Sequence, residues 1–323
     1  MCKFSNMNRK QLVAECRNYC LGTPRYPMVT RDCMDAEPYV VHVLSRDVLM
    51  VFGGRLTEPT YVKKIVADGD LNPKTRKNGK VSKVKSYGIS LAPAMASGLL
   101  RFNNCTGAVW GCIVNCLFNT GRGGSDVVRN SRIARTVAMV LCPDWFDNKL
   151  RRELDKIVAK QADGETVGVR PNMFSDNMWE RTGIIDDYPT ITFYDYTKIA
   201  SRAGWLRPNY YVTYSYKGTT QSLQAAQRIL DEKIASVSVV FYEDDGKCGR
   251  HAHEQRLPQT VTINGKEYRV LDGTTTDWRP DDEMGVVYGL MLLSLKKEKR
   301  QEMIDSGFAV RVPKGADNVV LAA

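Results

Sequence analysis

Histidine is scarce in this sequence: the 323 residues include only three, at positions 42, 251 and 253. A nucleophile that depends on a histidine base has little to draw on, and no serine or cysteine stands in the nucleophile-elbow pattern of hydrolases. The phosphate-binding Gly-x4-Gly-Lys-Ser/Thr loop and the Gly-x-Gly-x-x-Gly dinucleotide turn are also absent. These absences argue against triad hydrolases, P-loop enzymes and nicotinamide-dependent dehydrogenases.

Long apolar runs are lacking as well. The longest candidates, residues 137–141 and 236–242, are much shorter than the roughly 20 residues that span a bilayer. The first residues lead into a charged stretch instead of the apolar core of a signal peptide. We therefore expect no membrane anchor and no export, and a cytoplasmic location in which thiols stay reduced.

Positive charge is in excess, with 46 Lys and Arg against 36 Asp and Glu, a formal net charge of +10. A balance of this sign is typical of proteins with a polyanionic partner such as nucleic acid, although a basic surface also serves solubility. Residues 63–86 hold eight of the basic residues, including Lys74, Arg76 and Lys77, with Gly, Pro and Asn interrupting any periodicity. The pattern predicts a mobile basic linker, which is either a solvated connection or an arm that contacts phosphates.

This linker divides the sequence into three predicted parts. Residues 1–62 form a small helical module, because apolar residues at helical spacing follow position 8 and a second helical stretch extends from about 35 to 48. Residues 63–86 are the linker. Residues 87–323 form the main domain, in which short runs rich in β-branched and aromatic residues alternate with helical patterns.

Strands that alternate with helices favour an α/β fold with a parallel sheet, specifically a partial or full β/α barrel. Helices are predicted over residues 125–161, with an interruption at Pro143, and over about 221–233. The Asn264-Gly265 turn predicts an antiparallel hairpin near the C-terminus. The strands of the main domain are predicted at residues 87–91, 166–170, 190–194, 210–214, 236–242, 261–263 and 268–271.

Three cysteines, Cys105, Cys112 and Cys116, lie within a dozen residues, directly after the first predicted strand of the main domain. Soft thiolates in a cytosolic protein select iron–sulfur clusters or zinc, and three of them leave one metal coordination position for another ligand. The spacing does not match a zinc ribbon, which has two Cys-x-x-Cys pairs. The sequence thus predicts a metal site on these thiols, with buried structural cysteines as the alternative.

A glycine-rich loop opens the long predicted helix, with Gly121, Arg122 and Gly123 as its central residues. Glycines permit close backbone approach and a helix start offers free N–H groups, so a phosphate or a cofactor carboxylate is a candidate ligand. The alternative is a loop that closes over the metal site, followed by a solvated helix face. Three arginines continue at three-residue spacing and would position a nucleic-acid backbone without reading its sequence: Arg129, Arg132 and Arg135.

Polar side chains also gather where two predicted strands end. Ser175, Asp176 and Glu180 follow one strand, and Asp195 and Lys198 belong to the end of the next. In a barrel these groups meet near the cysteine loop. The carboxylates Asp176, Glu180 and Asp195 together with Lys198 are candidate acid–base residues, or else an ion-pair network that supports the barrel mouth, and Ser175 is a candidate cofactor contact.

Several longer motifs resemble the phage gene product 88 family. They cover about residues 87–310 in the order expected for that family. The resemblance implies a phage protein in the host cell cytosol and the family's fold, but no defined reaction. The motifs are Asn115–Gly123, Arg132–Thr136, Arg170–Asp176, Tyr194–Lys198 and Leu271–Asp282.

That family is in turn similar to partial β/α barrels of the radical S-adenosylmethionine type, in which a cysteine-rich loop after the first strand holds a [4Fe–4S] cluster. The similarity implies such a cluster on the three cysteines. The spacing here, Cys-x6-Cys-x3-Cys, departs from the usual Cys-x3-Cys-x2-Cys, which argues against S-adenosylmethionine as a cofactor. The resulting hypothesis is an iron–sulfur protein that acts on or near nucleic acid. The alternative is a non-catalytic protein that binds nucleic acid or a host protein complex and uses the barrel as a scaffold.

Overall fold

The structure is a computed structural model, and it describes residues 39–69, 73–99, 102–114, 116, 118, 124–244, 255–292 and 297–321. It is a mixed α/β structure built around one large, mostly parallel sheet. Among the helices that the structure describes, none has the length and apolar composition needed to cross a membrane.

A small antiparallel sheet precedes the main one and consists of β1 (Tyr39–Val43), β2 (Leu49–Gly53) and β3 (Thr60–Val62). The predicted helix over residues 35–48 is therefore wrong from residue 39 onward. The physical reason is local: β1 contains three valines, which pack well on a pleated surface, and the Ser45 hydroxyl accepts hydrogen bonds from the backbone N–H groups of Asp47 and Val48 to form a turn. The helix predicted after residue 8 lies outside the described residues.

The segment predicted as a mobile linker has regular structure where it is described. Strand β4 (Val66–Asp68) pairs antiparallel with β5 (Lys85–Ile89), and the helix Pro73–Val81 lies between them in the chain. Asn78 on this helix is fully buried and donates to the hydroxyls of Ser86 at 2.9 Å and Tyr194 at 2.8 Å. The linker interpretation is corrected because these contacts come from residues distant in sequence, which local periodicity does not reveal.

The central strands run parallel, and their spatial order follows their order in the chain. The sequence predicted each of these strands within a few residues of its observed bounds, except β13 (Val287–Met291). Strand β8 (Gly204–Arg207) pairs antiparallel with β9 (Tyr210–Ser215). The six central strands are β5, β6 (Val167–Arg170), β7 (Ile191–Thr197), β9 (Tyr210–Ser215), β10 (Val237–Glu243) and β13 (Val287–Met291).

Four C-terminal strands complete the sheet. The hairpin of β11 (Thr260–Ile263) and β12 (Lys266–Asp272) confirms the prediction made from Asn264-Gly265, since both turn residues have positive φ angles, 48° and 80°. Strand β12 runs parallel to β13, and β15 (Asn318–Leu321) runs parallel to β11. Strand β14 (Ala309–Val312) pairs with β10.

The described strands form an open sheet with β4 at one end and β15 at the other, and no pairing among them closes it. A closed barrel is thus not confirmed. The predicted long helix is confirmed as two helices, Asp126–Leu141 and Pro143–Val158, that meet at Pro143, and the helix Thr220–Asp231 follows β9 as predicted. Among the described residues the further helices are Trp110–Val114, Ile184–Asp187 and Lys297–Asp305, with 3-10 turns at Trp179–Arg181 and Ala200–Arg202.

The sheet splits between β9 and β10. The two strands pair only at Val237–Tyr214 and Ser238–Ser215, whereas β13 accompanies β10 from Val237 to Phe241. From Val240 to Glu243, β14 pairs with β10 on the edge that β9 contacts only as far as Ser238. The carboxyl-terminal halves of β9 and β10 therefore diverge, and Ser215 and Val240 at this divergence line part of the cavity described next.

Candidate functional site

A cavity lies at the carboxyl ends of the parallel strands. It has two adjoining compartments of about 430 and 460 Å³ with several wall residues in common. Cavities of this size bind small organic ligands. The shared wall residues come from the ends of β6, β7 and β9 and from the cysteine segment, so the position agrees with the rule that function collects where parallel strands end. They are Cys112, Cys116, Arg170, Met173, Phe174, Tyr196, Lys198 and Ser215.

All three predicted metal ligands line the first compartment. Cys105 lies in the loop after β5, Cys112 in the helix Trp110–Val114, and Cys116 just beyond that helix. The Cys105 thiol accepts from the Ala94 N–H at 3.3 Å and lies 3.6 Å from the Phe174 carbonyl, to which it donates. Burial raises the pKa of Cys105 to about 12, and the neighbouring Cys116 and Cys112 thiols add to that rise.

Hydrogen bonds and one close backbone approach hold the cysteine loop against the sheet. The side-chain amide of Asn104 donates to the Ala92 carbonyl at 2.6 Å, and the backbone N–H of Asp176 donates to the Asn104 carbonyl at 2.7 Å. A Cβ atom on Gly107 would come within 2.9 Å of Ile199 and 3.0 Å of Lys198, so only glycine permits this approach to the end of β7. The Lys217 ammonium donates to the Gly107 carbonyl at 3.0 Å.

The three thiols line the same compartment. Among the described residues, no three His, Cys, Asp or Glu side chains form a group that could hold a metal ion. A tetrahedral zinc site needs its sulfur ligands at about 2.3 Å from one ion. The described donors therefore do not fit a single zinc ion. Cys248, His251 and His253, which could supply a further ligand from a distant part of the chain, lie outside the described residues.

Cationic side chains accompany two of the thiols. Lys198 lies near enough to Cys112, and Arg132 to Cys116, for a thiolate charge to favour the charged forms of these two bases. Burial has the larger, opposite effect, lowering the pKa of Lys198 and lowering that of Arg132 to about 10. The Arg132 guanidinium also lies over the Phe174 ring, 3.8 Å from its centre. A basic side chain thus lies near each of these two thiols.

Lys198 is the predicted acid–base residue with the clearest access to the cavity. Its ammonium donates to the Ser215 hydroxyl at 2.7 Å and to the Tyr216 carbonyl at 2.9 Å, and it lies 4.7 Å from the centre of the Phe308 ring. No carboxylate of the described residues is within ion-pair distance of it.

The predicted acids Asp176 and Glu180 share one cation. One terminal nitrogen of Arg202 donates to Asp176. Its Nε–H and its other terminal nitrogen donate to the two Glu180 oxygens at 2.7 and 2.9 Å. Asp176 also accepts from the Lys198 N–H at 2.9 Å, and burial raises its pKa against these contacts. The arrangement matches the ion-pair alternative of the sequence analysis: both carboxylates are held by Arg202, although Asp176 also lines the first compartment.

Asp195 and Ser175 belong to a second buried network centred on Asn172. Asp195 is fully buried and accepts from the Asn172 N–H and side-chain amide, each at 2.8 Å, and from the Tyr210 hydroxyl at 2.9 Å. The Ser175 hydroxyl donates to the side-chain oxygen (Oδ1) of Asn172 at 2.8 Å and lines the first compartment. This network shapes the turn after β6.

Arg170, at the end of β6, was not predicted as a site residue. Its guanidinium donates to both Asp277 oxygens at 2.9 and 2.7 Å and lies over the Tyr196 ring, yet its Nε–H has no hydrogen-bond partner. Ser215, at the end of β9, was also missed. The strand-end rule that selected Asp176 and Lys198 applies equally to both residues.

The remaining predicted contacts fall into separate places. Gly121, Arg122 and Gly123 lie outside the described residues. Arg129 is exposed, whereas Arg132 is buried and Arg135 donates to the Lys64 carbonyl at 2.7 Å and the Ser90 carbonyl at 3.4 Å. The structure therefore does not bring the three arginines together on one solvent-facing surface.

The basic helix Pro73–Val81 does face solvent. Arg76 and Lys77 are exposed, and Lys77 donates to the Thr274 carbonyl at 2.7 Å; the placement of the Lys74 side chain lies outside what the structure describes. Lys80 and Lys83 are exposed beside them. These cations form an ordered basic face.

Comparison with known proteins identifies a family but no close relative. Neither the curated proteins nor the solved structures contain a match to the chain, and similarity to radical S-adenosylmethionine proteins receives no support from them. A family model described as Gene product 88 matches residues 64–311, from the start of the segment that holds β4 to the third residue of β14. The match spans most of the chain, and the chain therefore belongs to the Gene product 88 family.

Proposed function

We propose that this protein carries an iron–sulfur cluster on Cys105, Cys112 and Cys116. One observation carries the proposal: three thiols from a single chain segment, directly after the first parallel strand, line one compartment at the carboxyl end of the sheet. Cysteines with only a structural role would not be expected to line the same cavity all three together.

The donor set fits a cluster better than a single ion. In a cluster each thiolate binds a different iron atom, so the sulfur atoms stand around the group instead of meeting at one point. Three thiols that line one cavity are the donor type that such a cluster takes. Lys198 beside Cys112 and Arg132 beside Cys116 would offset the negative charge of the thiolates.

When bound, such a cluster supplies electron transfer, and three cysteine ligands leave one iron open to a further ligand. The chain's own residues supply the surroundings. Phe118, Met173 and Phe174 form apolar wall and limit access of water. Asp176 and Lys198 stand in the same wall as polar groups that bind or orient a molecule next to the thiols.

The finer description of the fold belongs to this proposal. Six parallel strands in chain order, with the cysteine segment after the first, are what a partial β/α barrel of the radical S-adenosylmethionine type would have. The cysteine spacing departs from that type, so the proposal extends to the cluster and not to S-adenosylmethionine cleavage. A cytosolic phage protein is the setting we propose for it.

Metal analysis tests the proposal directly. Protein purified without oxygen is expected to be brown, to contain iron and acid-labile sulfide, and to absorb in the visible region. The Cys105→Ser, Cys112→Ser and Cys116→Ser variants are each expected to lose most of the iron. Cys142→Ser is the matched control, because Cys142 is half-buried between two helices and does not line the cavity. Colourless, iron-free wild-type protein that is well folded would refute the cluster.

We propose nucleic acid as a partner on the basic face of the helix Pro73–Val81. The supporting observation is that Arg76, Lys77 and Lys80 are exposed on an anchored helix in a chain of net charge +10. Clustered cations of this kind contact phosphates without reading bases. A host protein complex is the competing partner for the same face.

A salt series distinguishes these partners. Arg76→Glu with Lys80→Glu is expected to weaken binding of single- and double-stranded oligonucleotides at least tenfold and to flatten the dependence on salt. The matched control is Lys156→Glu with Lys160→Glu, two exposed lysines from the region of the helix Pro143–Val158. Equal affinity for wild type and the basic-face variant would reject nucleic acid binding by this helix.

A further inference from the structure

The second compartment of the cavity, of about 460 Å³, contains two cations with unused hydrogen-bond donors. Lys198 uses two of its three N–H groups, on Ser215 and on the Tyr216 carbonyl. One terminal nitrogen of Arg170 donates to Asp277, and the other terminal nitrogen makes no hydrogen bond to a described residue; the Nε is closed off from solvent and lies 3.9 Å from Asp195. Both side chains line this compartment.

Burial makes these unused donors costly. The Arg170 side chain is 9% exposed, and a buried donor without a partner destabilises the folded protein. Lys198 has no carboxylate of the described residues within ion-pair distance, whereas Arg170 is balanced by Asp277 and Asp176 by Arg202. Asp176 acts on the Lys198 charge only from beyond that distance, so Lys198 is less fully compensated than Arg170.

One part of this compartment is lined by the polar residues Lys77, Thr274, Thr276 and Asp277, and the other part is apolar. Leu290, Met291 and Leu292 line it from β13 and the residue after it, and Met303 and Phe308 line it from the segment that leads into β14. A ligand that satisfies both halves has an anionic group beside the two cations and an apolar part against these side chains.

We propose that this compartment binds a small organic anion, a carboxylate or a phosphate with an apolar substituent, through Lys198 and Arg170. The site deepens the proposed function, since it adjoins the thiols, but it requires no metal. The anion accepts the third N–H of Lys198 and an N–H of the Arg170 terminal nitrogen that does not bind Asp277, and its apolar part replaces water against Met291, Met303 and Phe308. We expect such an anion to bind next to the proposed cluster, because the two compartments share Cys112 and Cys116.

Three small probes test the head group on metal-free protein. Phenylacetate and phenyl phosphate are expected to bind in calorimetric titrations and to raise the melting temperature, and the tighter of the two identifies the head group. Phenylacetamide has the shape of phenylacetate without its charge and is expected to bind at least tenfold more weakly. Equal affinity for the amide and the carboxylate, or no binding of either anion, would overturn the proposal.

Variants then locate the site. Lys198→Met is expected to weaken phenylacetate binding at least tenfold, whereas Lys160→Met, an exposed lysine far along the chain, leaves it unchanged. Unchanged affinity in Lys198→Met contradicts the assignment. If that variant does not fold, crystals soaked with 4-bromophenylacetate decide the question, because the bromine signal either lies in this compartment or it does not. The Cys105→Ser variant separates the two proposals, because Cys105 lines the first compartment but not the second: it is expected to lose iron and to keep anion binding.

Discussion

At the scale of single residues, burial and hydrogen bonding act against each other on Asp195. The side chain is fully buried, which disfavours its charge, while the Asn172 N–H, the Tyr210 hydroxyl and the cations Arg170 and Arg202 favour it. Burial prevails and raises the pKa of Asp195 from 3.8 to about 7. Between about pH 4 and pH 7 the folded protein therefore keeps a proton on Asp195 that the unfolded chain has released.

This difference predicts how stability depends on pH. The favourable contribution of protonated Asp195 is complete below about pH 4 and is lost as the pH rises through 7, so wild type should lose up to about 1.4 kcal/mol per pH unit relative to Asp195→Asn over that range. Urea unfolding of both proteins at several pH values measures this. A difference that stays constant, or that grows in favour of wild type with rising pH, would mean that Asp195 is ionised in the folded protein.

At the scale of elements, the sequence predicts what local patterns control. The strands at β6, β7 and β9 follow from runs of β-branched and aromatic residues, and Pro143 marks the start of a helix because its missing N–H is tolerated there. The helix Pro73–Val81 lacks apolar periodicity, and it is Asn78 that anchors it to Tyr194, more than a hundred residues away. Such long-range contacts are invisible in a local pattern.

The site shows the same division. Strand ends predicted that Asp176 and Lys198 would meet the cysteine segment, and both line the compartment with it. That Arg202 binds both Asp176 and Glu180 was not predictable, because Arg202 follows a different strand, and its contact depends on how the 3-10 turn Ala200–Arg202 folds back. Roles shared between elements appear only in three dimensions.

The cysteine loop offers a prediction at this scale. Gly107→Ala introduces a Cβ atom that would lie 2.9–3.1 Å from Ile199 and Lys198, so the loop must move away from the end of β7. We expect iron content to fall at least several-fold while circular dichroism stays that of wild type. Gly79→Ala is the control: its Cβ meets only the Val84 carbonyl, at 3.8 Å, and helix propensity favours alanine there by about 0.5–1 kcal/mol. Full iron content in Gly107→Ala would show that the loop position does not matter for the metal.

At the scale of the whole molecule, the split between β9 and β10 divides the sheet. Five residue pairs join β7 to β9, but two join β9 to β10. The segment from Gly307 to β14 occupies the opening, and Gly218 after β9 lies directly against Gly307. One large apolar cluster extends from β2 to β9 and the other from β9 to β15, so the two halves of the core meet at this seam.

The seam should open before the rest of the sheet does. The Tyr214 N–H donates to the Ser236 carbonyl at 3.2 Å and the Tyr216 N–H to the Ser238 carbonyl at 2.9 Å, and few neighbouring bonds support them. In native-state hydrogen exchange, we expect these two amides to exchange at least tenfold faster than the β7–β9 amides, a difference of about 1.4 kcal/mol in opening free energy.

Gly218→Ala sharpens this test. A Cβ atom there would lie 2.3 Å from the Gly307 carbonyl carbon, at a backbone φ of +79° that alanine rarely adopts, so the segment before β14 must withdraw from the seam. Exchange at Tyr214 and Tyr216 should then accelerate further while the β7–β9 amides keep their wild-type rates. Equal rates on both sides of β9, in wild type and variant alike, would mean instead that the sheet opens as one cooperative unit and that the two halves of the core do not separate at the cavity.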